Sequence, residues 1–455
     1  MKKNHIYKLL FITICMAMSL QVGAGNISVS EARQTARNFI NKQVAAGQFN
    51  ANRSTNLTLA FAEASTKVTD ANDYYAFNVD GGGWVIIAGE DRATPVLGYS
   101  DQGHLDFNCL PSNFKALLNG YKQEIEFLQT YTGDDLVPAN TPPFTNGVGP
   151  LITTTWGQEM PYYLQCPIYN NEYCVVGCVA TAMAQVMKYW QYPQSSNAIS
   201  SFYSSGYGYV SALPATTFNY NLMLNSYCHW DYDNSVLVQD IYTDAQAQEV
   251  AKLSRYCGQA VDMSYSPEGS GAYVFNQLDA MVNFGYQSTA QDVSRDGWWS
   301  SYTTAEWEAM IKTEINAGRP ILYSANDPNA GGHAFICDGY NNGGKFHFNF
   351  GWYGTCDGWY VSTALNMVHR EGEELHFNSS HEMLIGIQPP EGWVPPTPVA
   401  VGDFNEDGVV DVDDMNIIIN IILSNSNDAS ADLTGDGIVD IDDVNVIINM
   451  ILSSN

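Results

Sequence analysis

Apolar positions along this chain change their period several times, and each change marks an element. Leu9 to Leu20 is a run of twelve mostly apolar residues behind Lys2, Lys3 and Lys8, followed by the small residues Val22-Gly23-Ala24. That run is shorter than the roughly 20 residues a membrane-spanning helix needs, so it reads as an export signal over residues 1–24, with no membrane span. In "SVSEARQTARNFINKQ", Ala32, Ala36, Phe39 and Ile40 recur with a helical period behind a Ser28 or Ser30 cap. "YYAFNVDGGGWVIIAGEDRATPVLGYS" reads as short strands around a Gly81-Gly82-Gly83 turn, and Asn113 to Gln129 as a second amphipathic helix. These make a small α+β unit over residues 25–147, ending in the loose linker "TGDDLVPANTPPFTNGVGP". A large aromatic-rich domain follows over residues 148–388. Within it, "GCVATAMAQVMKYW" is a small, apolar helix, and two strands flank the turn Asn341-Asn342-Gly343-Gly344. A stiff proline-rich tether (389–398) leads to a tail over residues 399–455.

Charge narrows the choice of partner. The net charge of −29 and pI near 4.3 exclude nucleic acid and anionic membrane surfaces. Nine cysteines fall to eight once Cys15 leaves with the signal, and to seven if Cys109 departs with the first domain. Their spacing shows no compact disulfide framework, and seven leave at least one free thiol unless chains cross-link.

The tail carries twelve Asp or Glu and no Lys or Arg, spaced as an internal repeat. "DFNEDGVVDVDDMNIIINIIL" and "DLTGDGIVDIDDVNVIINMIL" superpose with a shift of 29 residues. Asp403, Asn405, Asp407, Val409, Asp411 and Asp414 take the ligand positions of a calcium loop around Gly408. Asp432, Thr434, Asp436, Ile438, Asp440 and Asp443 repeat the pattern around Gly437, with Thr434 in place of the usual Asn or Asp. A hard cation takes about six to eight oxygens wrapped on a sharp turn, which this spacing supplies twice. Neither loop has an entering helix. Loop plus exiting helix, twice, resembles a type I dockerin, which implies two structural calcium ions and a cohesin-type partner on a scaffold or cell surface.

Cys178 heads the apolar helix. A buried core cysteine is the ordinary occupant of such a place, but a helix N-terminus also favours thiolate and hence a nucleophile. A nucleophile needs a base and oxyanion donors. Of eight histidines, His5 leaves with the signal, His104 lies in the first domain, His229 reads as a satisfied, partly buried residue, and His369, His376 and His381 lie in a polar, loop-like region. His333 stands at a strand end after two glycines. Pairing Tyr340 with Lys345 would set His333 opposite Trp352 and diagonal to Phe350. The same register turns Asn349 to the other face unless Gly351 sits in a bulge. The orienting residue is therefore Asn349 by chemistry, and Phe350 or Trp352 by geometry. His347 is the rival base.

"GCVATAMAQVMKYW", "GGHAFICDGY" and "FNFGWYGTCDGWY", in that chain order, resemble the streptopain family of papain-like cysteine endopeptidases. "WVIIAGEDRATPVLGYS" resembles that family's inhibitory pro-domain. The resemblance implies an α+β, papain-like fold of two subdomains, a helix carrying the nucleophile and an antiparallel sheet carrying the histidine. A small α+β pro-domain would precede it and an all-α calcium-binding dockerin follow. It further implies Cys178 as nucleophile, His333 as proton acceptor and Gln158, in "TTTWGQEMPYY", as oxyanion donor beside the Cys178 N–H, with no cofactor for catalysis. The substrates implied are proteins and peptides, with a hydrophobic preference two residues before the cut. The family's Asn-Trp-Gly-Trp tract reads Asn349-Phe350-Gly351-Trp352 here. Cys174, one helical turn before Cys178, is a further departure. The expectation is a secreted endopeptidase made as a zymogen, with its own pro-domain as inhibitor. Two alternatives stand beside it: a catalytically silent papain-like assembly protein, and an amidase or transglutaminase on the same fold.

Overall fold

The helical period behind Ser28 becomes helix α1 (Val29–Ala45) in the computed structural model. Its cap is reciprocal: Glu31 accepts from the Ser28 N–H at 2.8 Å and the Ser28 hydroxyl from the Glu31 N–H at 3.4 Å. Ala32, Ala36 and Ile40 are buried. The structure describes residues 25–50, 54–133, 135–138, 147–204, 206–231, 236–297, 300–327, 331–365, 367–369, 381–395, 402, 404, 410–424, 431, 433–434 and 438–453. The export signal, residues 396–398 of the proline-rich tether and much of both acidic loops lie outside the described residues.

Ten strands form one antiparallel sheet, numbered here by themselves: β1 (Leu57–Ala64), β2 (Asn72–Val79), β3 (Trp84–Ala88), β4 (Val96–Ser100), β5 (Gln291–Ser294), β6 (Ile321–Asp327), β7 (Gly331–Tyr340), β8 (Phe346–Asn349), β9 (Gly358–Tyr360) and β10 (Glu382–Ile385). Their order is β1-β2-β3-β4-β9-β8-β7-β6-β10-β5. The first four strands belong to the small N-terminal unit, and β4 joins it edge to edge with β9 of the large one, Gly98 opposite Tyr360 and Tyr99 opposite Trp359. A Cβ at Gly98 would lie 2.5 Å from the Tyr360 ring, so the joint needs glycine there.

Helix α2 (Ser112–Thr130) crosses this joint. Its Phe114, Leu117, Leu118, Tyr121 and Ile125 share one core with Phe335, Phe348, Phe350 and Tyr360 of the large domain. Phe114 meets Phe350 edge-on with ring centroids 5.3 Å apart, and Tyr360 at 5.7 Å. Each such fully buried side chain contributes about 1.5–3 kcal/mol, so the N-terminal unit is fastened by a core and not only by strand pairing. The opposite face of β6 and β7, through Leu322, Ala334 and Ile336, packs with helices α3 (Cys178–Trp190), α4 (Asp244–Ala260) and α5 (Asn276–Asn283). Helix α6 (Thr304–Asn316) buries Trp307, Ile311 and Ile315 in the core that α2 shares. In the tail, α7 (Val412–Leu423) and α8 (Ile441–Ser453) meet through Ile418, Val444 and Ile447. No helix among the described residues is long and apolar enough to cross a membrane.

Two local expectations change. Cys174 is not on a helix: it follows a short hairpin (Ile168–Tyr169 with Glu172–Tyr173) in extended chain, and its N–H donates to the Pro167 carbonyl at 2.8 Å. His381 is buried rather than loop-like, its Nδ1 2.8 Å from the Tyr323 hydroxyl, and burial first, then Arg295, pull it down to about 3.

Candidate active site

Cys178 is the first residue of α3, and the residue before it sets the entry. Gly177 has φ +88°, and a Cβ there would meet the Met263 sulfur at 2.8 Å and the Ser270 carbonyl at 2.9 Å. Only glycine fits that approach. Burial pushes the Cys178 thiol up, against the pull of the Ala334, Val179 and Cys178 N–H groups. In this uncut chain desolvation therefore outweighs the helix N-terminus, which by itself favours thiolate.

Strand β7 comes in against the sulfur. The Ala334 N–H, one residue after His333, lies 3.5 Å from Cys178 Sγ. The His333 Nδ1 is 3.4 Å from the Ser112 hydroxyl, at the start of α2. Next to it the buried Asn113 amide donates to the Phe350 carbonyl at 2.6 Å and the Ala334 carbonyl at 3.4 Å. The N-terminal unit thus holds the residues flanking the candidate base.

Gln158 lies alongside Cys178. Its carbonyl accepts from Val176 N–H at 3.0 Å, two residues before the thiol. A Cβ at Gly157 would sit 2.2 Å from the Tyr353 ring, and Tyr353 in turn accepts from the Glu159 N–H at 3.0 Å. Packing on both sides of Gln158 therefore holds its backbone in place.

The β7–β8 register agrees with the expected one at Cys337–Phe348 and Ile336–Asn349, then slips by one through a bulge, giving Gly339–His347 and Tyr340–Phe346. The bulge falls at Asp338, not Gly351. Strand β8 ends at Asn349 and the chain turns at Gly351 (φ +70°), so the expected pairing of His333 with Trp352 does not extend the ladder. Asn349 faces α3: its amide donates to the Thr154 carbonyl at 2.8 Å, and its oxygen accepts from Gln185 at 3.1 Å and the Gly351 N–H at 3.0 Å. Phe350 is buried on the opposite face, and Trp352 is half-buried beside that same cluster.

His347, the rival base, is occupied elsewhere. Its Nδ1 pairs with the buried Asp338 at 2.6 Å, and its ring lies edge-on to Trp359. Burial pulls this imidazole down, but Asp338, Asp357 and Asp101 outweigh it and hold it above its ordinary value. The other Asp338 oxygen accepts from the Ile152 N–H at 2.8 Å, and Val148 exchanges hydrogen bonds with Tyr340. The start of the large domain is thereby sewn onto β7. His229 is exposed rather than partly buried, with Asp240 2.6 Å from its Nδ1. All eight described cysteines are free thiols.

In the tail, Asp414 and Asp443 close their loops in the same way. Asp414 accepts from the N–H of Phe404 and Asp411 at 2.6 and 2.9 Å. Asp443 accepts from Leu433, Thr434 and Asp440 at 2.7, 2.9 and 2.8 Å. Both carboxylates are fully buried in a module without a single Lys or Arg. Burying two such charges needs a cation, so the donor chemistry fits calcium. Asp403, Asn405, Asp407, Val409, Asp432 and Asp436 lie outside the described residues, whereas Asp411, Thr434, Ile438 and Asp440 are described.

The arrangement is that of a thiol hydrolase held by an N-terminal domain. The sequence profile of the peptidase C10 family matches residues 156–360, that of the Spi protease inhibitor residues 24–125, and that of the type I dockerin domain residues 401–452. Streptopain of Streptococcus pyogenes is 28% identical over 386 residues, 79% of this chain and 91% of that protein. The thiol protease/hemagglutinin PrtT of Porphyromonas gingivalis is 27% identical over 414 residues; these are 86% of this chain but 45% of PrtT, so the chain spans under half of that relative. The structure of a Prevotella intermedia prointerpain A fragment, a cysteine-to-alanine mutant, superposes with a TM-score of 0.56 at 28% identity, covering 73% of this chain and 99% of that one. The chain belongs to the peptidase C10 family: it is a cysteine peptidase preceded by an inhibitor-type pro-domain and followed by a type I dockerin, a calcium-binding kind of module.

Sequence reading alone missed Gln185 and Thr154, which hold Asn349. The available signal was a glutamine seven residues after Cys178 in a mostly apolar helix.

Proposed function

We propose that the protein is an exported cysteine endopeptidase made as a zymogen, with a signal at 1–24, pro-domain at 25–147, peptidase at 148–388, tether at 389–398 and dockerin at 399–455. Cys178 thiolate, paired with His333 imidazolium, attacks a peptide carbonyl. The Gln158 side chain and the Cys178 N–H receive the oxyanion. His333 then protonates the leaving amine, and water, with His333 as base, releases the acyl-enzyme. One observation carries the reading: β7 lays the Ala334 N–H, next in the chain to His333, on the thiol at the head of α3, while Ser112 and Asn113 of the N-terminal unit bond to His333 and to the Ala334 and Phe350 carbonyls. A pro-domain seated there restrains the base until the chain is cut.

The cut falls ahead of Val148, because Val148 to Ile152 are bonded to β7 and Asp338 and stay with the peptidase. In the dockerin, the loop residues Asp403, Asn405, Asp407, Val409, Asp411 and Asp414, and Asp432, Thr434, Asp436, Ile438, Asp440 and Asp443, would hold two calcium ions. Calcium supplies the positive charge that lets the acidic loops fold, and the folded module docks on a cohesin-type domain at a scaffold or cell surface.

Mass spectrometry of the full chain over time, beside Cys178→Ala, tests this reading. Self-processing ahead of Val148 in the wild type and none in the variant is expected. Full activity of the uncut chain, or normal processing of Cys178→Ala, would overturn it.

A further inference from the structure

Helix α3 carries two further polar residues on the stripe that begins at Cys178: Thr181 and Gln185 follow at three and seven residues, on the same face. Gln185 is fully buried in a helix whose other inward residues are almost all apolar. Its Oε1 accepts from the Thr154 hydroxyl at 2.9 Å and the Trp156 N–H at 3.2 Å. Its Nε2 donates to Asn349 Oδ1 at 3.1 Å, and Asn349 Nδ2 returns to Gln185 Oε1 at 3.4 Å. Asn349 closes the ring through the Thr154 carbonyl at 2.8 Å and the Gly351 N–H at 3.0 Å. Thr154, Trp156 and Asn349 are themselves buried. A Cβ on Gly351 would meet Thr181 at 3.0 Å, so that loop lies directly on this face of α3.

Three pieces of the site therefore meet at one side chain. They are the nucleophile helix, the segment that runs through Trp156 to Gln158, and the turn Asn349–Gly351 that ends β8. The tract Asn349-Phe350-Gly351-Trp352 invites the reading that Asn349 orients the histidine, but its amide is committed to α3 and Thr154. We infer that Gln185 is a positioning residue: it sets the Gln158 segment against the head of α3, so that the oxyanion donors stand in register with the Cys178 sulfur. The inference rests on the reading of Cys178, His333 and Gln158 given above. Its physical basis is that a fully satisfied buried polar network specifies one geometry, whereas apolar packing alone leaves the segment free to slide.

The test uses full-length chains matured by the same trace of wild-type peptidase, which is then removed: wild type, Gln185→Met, Thr154→Val, Gln158→Ala, Cys178→Ala and the Gln185→Met/Gln158→Ala pair. For Gln185→Met, kcat on a small peptide should fall about 10²-fold with KM within about threefold, the scale of a small misplacement at a reacting centre. In the Gln158→Ala background the same change should cost less than about threefold, because the donor it positions is already gone. Thr154→Val, which removes one bond of the ring, should show the same pattern on a smaller scale, and it carries the test if Gln185→Met fails to fold. Unchanged kcat in folded Gln185→Met, or an equal loss in both backgrounds, would overturn the inference while a dead Cys178→Ala left the catalytic reading standing. An active Cys178→Ala would instead overturn that reading itself.

Discussion

The residues gathered around Cys178 come from four distant parts of the chain, near 113, 158, 178 and 333, whereas each acidic loop of the tail is complete within twelve residues. The peptidase site depends on two cores packed on opposite faces of β6 and β7, with Phe335 and Ala334 pointing into different ones. Among its described residues the tail has a core of four buried side chains, Ile418, Ala431, Val444 and Ile447, and two buried carboxylates. A site assembled by a large core tolerates the loss of an ion and fails when a single reacting group is removed. A module with a small core and dense charge behaves in the opposite way, because binding free energy there appears as folding free energy.

The largest expected effect lies on the peptidase side. Cys178→Ala and His333→Ala should each abolish peptide hydrolysis with the thermal unfolding transition retained, and their losses should not add, since they act as one unit. Turnover near wild type in Cys178→Ala, with loss in Cys257→Ala instead, would break the assignment.

On the tail side, the isolated 399–455 fragment should be helical by circular dichroism with calcium and lose that signal in chelator, its twelve acids repelling one another. The same chelator should leave hydrolysis of a small peptide by the whole protein intact. A fragment equally helical in both conditions, or peptidase activity lost with the metal, would collapse the contrast between the two regions.

A smaller effect is expected at Gln158. Its replacement by Ala should lower kcat about 10²–10³-fold, the scale of one oxyanion donor. A loss as complete as that of Cys178→Ala would instead point to a structural failure of the Trp156–Gln158 segment, which a melting curve would reveal.

The smallest effect is a pH dependence at the joint between pro-domain and peptidase. Glu124 of α2 accepts from the Ala364 N–H at 2.6 Å, and burial pushes its carboxyl up to about 7 against the pull of the Ala364 N–H, Arg295 and Thr363. A carboxyl raised in the assembled state favours assembly when protonated. The contribution is fully present below its ordinary value of 4.5 and is lost as pH rises through about 7. Inhibition by added pro-domain should therefore weaken across that window, by at most about tenfold per pH unit for one group. Glu124→Gln should flatten the slope, and an unchanged slope in that variant would assign the dependence to another group.

Much of this was legible in local pattern. The cap at Ser28, the glycine turn before β3, the α2 boundaries to within one residue and the helices after both acidic loops follow from short-range rules of capping and period. The Cys337–Phe348 and Ile336–Asn349 pairs fall where the expected register put them, but at the turn Tyr340 pairs with Phe346 and not with Lys345. The bulge at Asp338 that makes the difference was not legible, because it serves a contact 186 residues away, the Ile152 N–H on the Asp338 carboxylate.

By itself, then, the sequence determined which residues could do chemistry: a thiol at a helix head, a histidine at a strand end, and oxygens spaced for a cation. These are properties of residue type and short spacing, and they survive without knowledge of the rest of the chain. Only the tertiary structure decided how those groups are held. It joined β4 to β9 so that pro-domain and peptidase share one sheet, and set Ser112 and Asn113 against the strand of His333. It also turned Asn349 toward Gln185 and Thr154. Burial sets these outcomes. A buried polar group must find its partner wherever in the chain that partner happens to be, and no local period records the address.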